Sequence, residues 1–191
     1  MPRQLAAMAN NREESMFRSS ILGAVAVLAC CTTALAHVAL ESGEAPVGSQ
    51  YKAVLQVLHG CNDSATTTIR VRIPDGIVAV RPMPKAGWKL DVVTGKYAKP
   101  HNLGHAQVNE GVTEVAWSAG NLPSTFYDEF VFVATIAGDL QEGQTIYFPV
   151  VQQCERGVHR WIDIPTGPVA AGGHGEGGAQ PAPGLMLLPR R

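Results

Sequence analysis

From His37 to Ile164 the chain alternates between short apolar runs and clusters of Gly, Pro, Asn and Asp, a spacing that predicts many short β-strands rather than helices. The clearest alternation runs over Thr66 to Ile73, where Ile69, Val71 and Ile73 interleave with Arg70 and Arg72. A strand puts successive side chains on opposite faces, so one face there is buried and the other wet. Further strands are predicted at Val38 to Leu40, Tyr51 to Leu58, Ile77 to Val80, Trp88 to Val93, Val112 to Trp117, Phe130 to Ile136, Thr145 to Gln152 and Gly157 to Ile164. Turn signals punctuate them at Pro74-Asp75-Gly76, Lys85-Ala86-Gly87 and Gln141-Glu142-Gly143. Thr94 to Asn109 lacks clean alternation and is expected as a long loop carrying His101 and His105. The whole predicts an all-β fold, a single-domain β-sandwich of immunoglobulin-like or cupredoxin-like type.

Two stretches stand apart from this pattern. Residues 1–36 hold Arg3, Arg12 and Arg18, then the apolar run Ile21 to Ala29, then Ala34-Leu35-Ala36. A charged head, an apolar middle and an A-x-A cleavage site make a secretory signal peptide whose removal leaves His37 first. Met16 is an alternative start that yields the same mature chain. A lipoprotein signal ending at Cys30 is the competing reading, and it would bury His37 in a tether. Residues 166–191 are rich in Ala, Gly and Pro and include His174; they are expected as a flexible tail, with docking of Leu185 to Leu188 onto the domain as the alternative.

With 191 residues the chain is long enough for one good core in the span 37–165. Lys and Arg total 15 against 16 Asp and Glu, which excludes the basic footprint of a nucleic-acid binder. A membrane span needs roughly 20 apolar residues, and no stretch beyond His37 approaches that, so no transmembrane anchor is expected in the mature chain. Of the four cysteines, Cys30 and Cys31 leave with the signal. The remaining pair, Cys61 and Cys154, reads as a disulfide in an oxidising compartment, with a thiolate metal site as the alternative.

The candidate chemistry concentrates on histidine. At a mature N-terminus, the α-amine and Nδ1 of His37 close a chelate ring on one metal ion, and the amine loses its proton near neutral pH. Nitrogen donors in a tetragonal array favour Cu(II). A chance cleavage before a histidine is the bland alternative. His59, beside Cys61, is an additional ligand candidate. His159 lies two residues before Trp161 and shares its strand face. His101, His105 and His174 are expected to be exposed rather than primary ligands.

The segments His37-Val38, Gly48-Ser49, His59-Gly60-Cys61, Ile73-Pro74-Asp75-Gly76, Pro82-Met83-Pro84-Lys85-Ala86-Gly87-Trp88, Asp128-Glu129-Phe130, Phe148 to Cys154 and Gly157-Val158-His159-Arg160-Trp161 resemble the YcnI-type copper-binding family, across nearly the whole mature chain. The resemblance implies an exported β-sandwich that binds Cu(II) through a mono-histidine brace, assisted by a glutamate and a nearby tryptophan. His37 matches the brace directly and Trp161 is the best match for the tryptophan. Glu44 is chosen over Glu41 for the glutamate. The expected role is copper homeostasis or delivery in the periplasm or outside the cell, with other periplasmic copper-handling proteins as partners. Two rival classes stay open: a copper-dependent oxidative enzyme, in which His59 or His159 supplies a second imidazole, and a metal-free immunoglobulin-like interaction module. A blue-copper carrier is excluded if the disulfide consumes both thiols. Met83 and Met186 are too few for a thioether carrier.

Overall fold

The structure, a computed structural model, describes residues 38–165 and 180–190. The expected signal segment, His37 and His174 lie outside the described residues. In chain order the strands are β1 (Ala39–Leu40), β2 (Glu44–Pro46), β3 (Gln50–Val57), β4 (Thr66–Arg72), β5 (Ile77–Pro82), β6 (Lys89–Leu103), β7 (Ala106–Ser118), β8 (Asp128–Ile136), β9 (Thr145–Tyr147), β10 (Val150–Cys154), β11 (Val158–Trp161) and β12 (Gly184–Leu188). They form a four-stranded sheet in the order β1-β3-β8-β5, a five-stranded sheet β11-β10-β4-β7-β6, and a three-stranded sheet β2-β12-β9. The expected all-β sandwich is what the chain forms. No helix among the described residues is long and apolar enough to cross a membrane.

Alternation decides which faces meet. On β4, Ile69 and Val71 are fully buried while Arg70 and Arg72 face solvent. On the inner side Leu55, Phe130 and Phe132 of the four-stranded sheet share one core with Ile69, Val71, Val115, Trp117 and Val150 of the five-stranded sheet. Each such buried side chain contributes about 1.5–3 kcal/mol. The exposed pair Arg70–Glu114, at 3.3 Å, adds at most about 1 kcal/mol, so burial rather than surface charge holds the sheets together.

Three expectations about the elements change. The run Thr145 to Gln152 is two strands, because Pro149 lacks an N–H and interrupts the ladder; β9 pairs with β12 and β10 with β4. Residues 180–190 return to the domain, as the docking alternative for Leu185 to Leu188 expected, rather than trailing as a tail. There Leu185 and Leu187 of β12 are fully buried, and β12 runs parallel to β2 and antiparallel to β9. The third change concerns Thr94 to Asn109, which is no loop but the outer half of the β6–β7 hairpin. It turns at Gly104, whose φ is 60°, and its register shifts between Lys96 and His101. Residues on both of its faces meet water, which erases the alternation that would have revealed a strand.

His101, expected exposed, is fully buried in that hairpin. Its Nδ1 stands 3.1 Å from an Asp139 carboxylate oxygen, and its Nε2 lies 3.1 Å from Asp75 without hydrogen-bond alignment. Those acids come from the β8–β9 and β4–β5 connections, so local sequence could not announce them. Burial alone raises the Asp139 pKa. The Asn102 backbone N–H, the Lys99 ammonium at 3.1 Å and His101 outweigh that effect and hold it at about 2, below its ordinary 3.8.

A carboxylate with a depressed folded-state pKa stabilises fully above its unfolded value and loses that contribution as pH falls through the folded one. Asp139→Asn is therefore expected to lower stability by about 1–2 kcal/mol near neutral pH. In urea unfolding measured at successive pH values, the gap between the two proteins should narrow as pH falls from about 4 towards 2.

Candidate metal centre

The centre is built where β3 leaves the four-stranded sheet and meets the β10–β11 hairpin at the edge of the five-stranded one. Past Val57 the chain turns tightly at Cys61 to Ser64, with hydrogen bonds of 3.1 Å running both ways between these two backbones. Gly60 is required here: a Cβ on it would sit 2.0 Å from the Ser64 carbonyl oxygen. Immediately after, Cys61 forms the expected disulfide with Cys154 across 93 residues of sequence. Closing a loop of that length stabilises by about 4–5 kcal/mol in the chain-entropy account. The bridge does not join two facing strands. It ties the β3–β4 connection to the end of β10 and so pins His59, two residues upstream, against β10.

On β10, Val150 and Gln152 both point inward, and the antiparallel register sets Val150 against Trp161 and Gln152 against His159. Gln152 and His159 therefore share a face with Trp161. The Gln152 side chain is only 1% exposed. Its Nε2 donates to the His59 carbonyl at 2.7 Å and to Thr66 Oγ1 at 2.8 Å, and its Oε1 accepts from Trp161 Nε1 at 3.2 Å. A carbonyl only accepts and an indole N–H only donates, so these partners force the amide's orientation. One buried amide thus sets the positions of both the His59 backbone and the Trp161 ring.

The rings follow from that frame. His159 stacks on Trp161 with centroids 5.1 Å apart and planes at 30°, and it meets His59 edge-on at 6.0 Å. His59 Nδ1 lies 2.6 Å from the Gly60 carbonyl. Since that carbonyl accepts only, Nδ1 carries a proton, and in the neutral ring the lone pair is then on Nε2. A metal-ligating histidine is commonly prepared this way, with its other nitrogen donating to a carbonyl. Burial, and then the neighbouring His59, push the His159 pKa below its ordinary value, which favours the neutral ring. Trp161 is 5% exposed; its protonated indole offers a π face and a wall against water, not a σ-donor.

The structure therefore brings together three of the residues singled out in the sequence, His59, His159 and Trp161, and adds Gln152. Gln152 went unnoticed as a site residue, although a polar side chain at an inward position of the apolar run Val150-Val151-Gln152 is a visible signal. Glu44 stands elsewhere, exposed on β2 and paired with Met186 of the three-stranded sheet. Trp88 and Trp117 pack edge-on against Phe130 at 4.8 and 5.5 Å, as core residues do. His105 is exposed.

Among the described residues no group of three or more His, Cys, Asp or Glu is placed to hold a metal ion. His59 has the donor chemistry but needs further donors from beyond them. The first described residue, Val38, is buried, and β1 pairs Ala39 with Gln56 and Leu40 with Leu55.

A family model described as "Domain of unknown function (DUF1775)" matches residues 37–187. No curated protein matches the chain. Among solved structures, an uncharacterized protein from Nocardia farcinica with an immunoglobulin-like fold is similar, with a TM-score of 0.56 and 25% sequence identity. The likeness covers 80% of this chain and 98% of that one. The immunoglobulin-like form of the sandwich is thus the one this chain shares.

Replacing Gln152 by Met keeps the volume but removes the hydrogen bonds that Gln152 makes to the His59 carbonyl, the Thr66 hydroxyl and the Trp161 N–H. Each hydrogen bond lost in a buried setting costs about 1 kcal/mol. Gln152→Met is expected to lower the denaturant midpoint accordingly and to shift the Trp161 indole resonance, whereas unchanged values for both would contradict the hub.

Proposed function

The chain belongs to the DUF1775 family, and from that premise we propose that it is an exported Cu(II)-binding protein serving copper homeostasis, most simply as a periplasmic chaperone. The YcnI-type resemblance falls in this same family. The single observation that carries the reading is the His59 tautomer: Nδ1–H is spent on Gly60, which makes Nε2 the donor, beside the end of the chain segment that begins at His37.

In this reading His37 chelates Cu(II) through its α-amine and Nδ1, and His59 adds Nε2. The Trp161 face shields one side, and the Cys61–Cys154 bridge and Gln152 keep His59 in place without contacting the ion. A donor set of nitrogens suits Cu(II) over harder cations. Few protein ligands also suit a cargo that must be passed on. The disulfide fits an oxidising, exported compartment, and the signal segment read at 1–36 supplies the route. Glu44, the glutamate that the resemblance implies, stays in the proposed set as the carboxylate donor.

The reading is tested by Cu(II) titration of protein beginning at His37 against protein with one additional N-terminal residue. Extending the terminus converts the amine to an amide and abolishes the chelate, so affinity is expected to fall by at least about 100-fold, on the order of 3 kcal/mol. Equal affinity in both forms would rule out the brace. Absence of binding, with no copper-induced rise in melting temperature, would favour a metal-free interaction module.

The same His59 geometry favours a second reading, a copper oxidative enzyme, because a second imidazole is what such a site requires. Peroxide-driven oxidation of a reporter substrate by the copper-loaded protein separates the two. The chaperone reading predicts no more turnover than a His37→Ala protein given the same copper.

A further inference from the structure

We propose that the cleft between the β2–β3 turn and the tip of the β6–β7 hairpin binds a small hydrophilic acid, and that Arg190 grips its oxyanion group, a carboxylate or a phosphate. The cleft lies at the start of β3, whose eight residues run from Gln50 towards the His59 end of the sandwich, so it is separate from the centre described above and does not rest on the copper reading. Its volume is about 570 Å³. Neutral polar groups from Ser49, Gln50, Asn102 and Thr135 line it, and Arg190 is the one charged residue among its described lining. A single positive charge in an otherwise neutral cleft favours an anion.

Arg190 reaches the cleft because β12 returns to the domain. Its backbone N–H donates to a Glu142 carboxylate oxygen at 3.2 Å, and two residues earlier the Leu188 carbonyl accepts from the Val47 N–H at 3.0 Å. The guanidinium then crosses to the end of β8, where Nη2 donates to the Gly138 carbonyl at 2.6 Å. Glycines flank it: a Cβ on Gly138 would stand 3.1 Å from Nη2, and one on Gly48, whose φ is 79°, 3.5 Å from Nε. The Gly138 carbonyl occupies one donor of a planar fork, and the guanidinium forms no ion pair among the described residues. Such a fork matches a carboxylate or phosphate through two parallel N–H···O bonds.

The neighbouring acid does not compete, since Asp139 already accepts from the Lys99 ammonium at 3.1 Å and from the Asn102 N–H at 3.0 Å. The walls are fixed as well. The Asn102 carbonyl accepts from the Gly138 N–H at 3.2 Å, Ser49 Oγ donates to the Pro46 carbonyl at 2.7 Å, and the Ser49 carbonyl accepts from the Ile136 N–H at 2.9 Å. Turn, hairpin tip and strand end are therefore tied to one another without a ligand, which lowers the cost of ordering them on binding. The Gly48-Ser49 pair, which the copper site leaves unused, belongs to this cleft.

Titration of metal-free, nitrogen-15-labelled protein beginning at His37 with succinate and, separately, with inorganic phosphate tests the site, with sodium chloride at matched ionic strength as the reference. One or both oxyanions should shift the Arg190 Nε–H resonance and the Gly48 and Gly138 amides saturably, and the tighter of the two identifies the oxyanion class. Arg190→Gln should weaken binding by at least about 10-fold, and Arg190→Lys, which keeps the charge but not the fork, by a similar factor. Arg81→Gln removes the same charge from an exposed position outside the cleft and should leave the affinity unchanged. Shifts that chloride reproduces, shifts spread evenly over the surface, or no response to either oxyanion would overturn the proposal, and these wild-type results decide it whatever the stability of the variants. Equal affinity in wild type and both Arg190 variants, or an equal loss in Arg81→Gln, would also overturn it.

Discussion

The site depends on one buried primary amide. Gln152 lies on an inward position of β10 where the neighbouring strands supply aliphatic and aromatic side chains, and an unpaired amide there would cost several kcal/mol. It is tolerated because three partners of fixed polarity surround it: a backbone carbonyl from the β3–β4 connection, a hydroxyl from β4 and an indole from β11. The same satisfaction makes it an organiser, since a network with every member paired admits only one arrangement of its partners. His59 and Trp161, separated by about half the chain, are brought into one frame by this amide.

The disulfide and Gly60 act on the same frame from the other side. Cys61–Cys154 restrains the loop that carries His59, and Gly60 lets that loop pass close to the Ser64 carbonyl. A cysteine pair placed across the sandwich core would stabilise the fold generally; placed here, it holds the β3–β4 connection to the strand that bears Gln152. His59 is thus oriented by covalent, steric and hydrogen-bonding constraints at once. Preorganisation of this kind lowers the cost of ordering a side chain for binding.

Much of this fold was legible in the chain's alternation. Ile69, Val71 and their arginine neighbours declare a half-buried strand, and Pro and Gly clusters mark most of the turns. Alternation failed where its physical basis is absent. The outer β6–β7 hairpin has water on both faces, β2 and β12 are short, and β12 depends on strands more than 35 residues away along the chain. Within the site, Cys61–Cys154 and the shared face of His159 and Trp161 follow from composition and strand period. The role of Gln152 does not. It is defined by partners distant in sequence, and a glutamine reads the same on paper whether its amide is buried or wet. The tautomer of His59 is likewise invisible until the polarity of its neighbour is known. His101 illustrates the same point away from the site, since its two acids arrive from separate connections.

The central claim is that copper sits between the chain's processed N-terminus and His59. A crystal structure of the copper-loaded protein beginning at His37, with anomalous diffraction recorded at the copper absorption edge, tests it directly. The account predicts one strong anomalous peak bonded to the His37 amine, His37 Nδ1 and His59 Nε2, with the Trp161 ring alongside. Copper held elsewhere on the sandwich, or at His159 without the terminal amine, would contradict it.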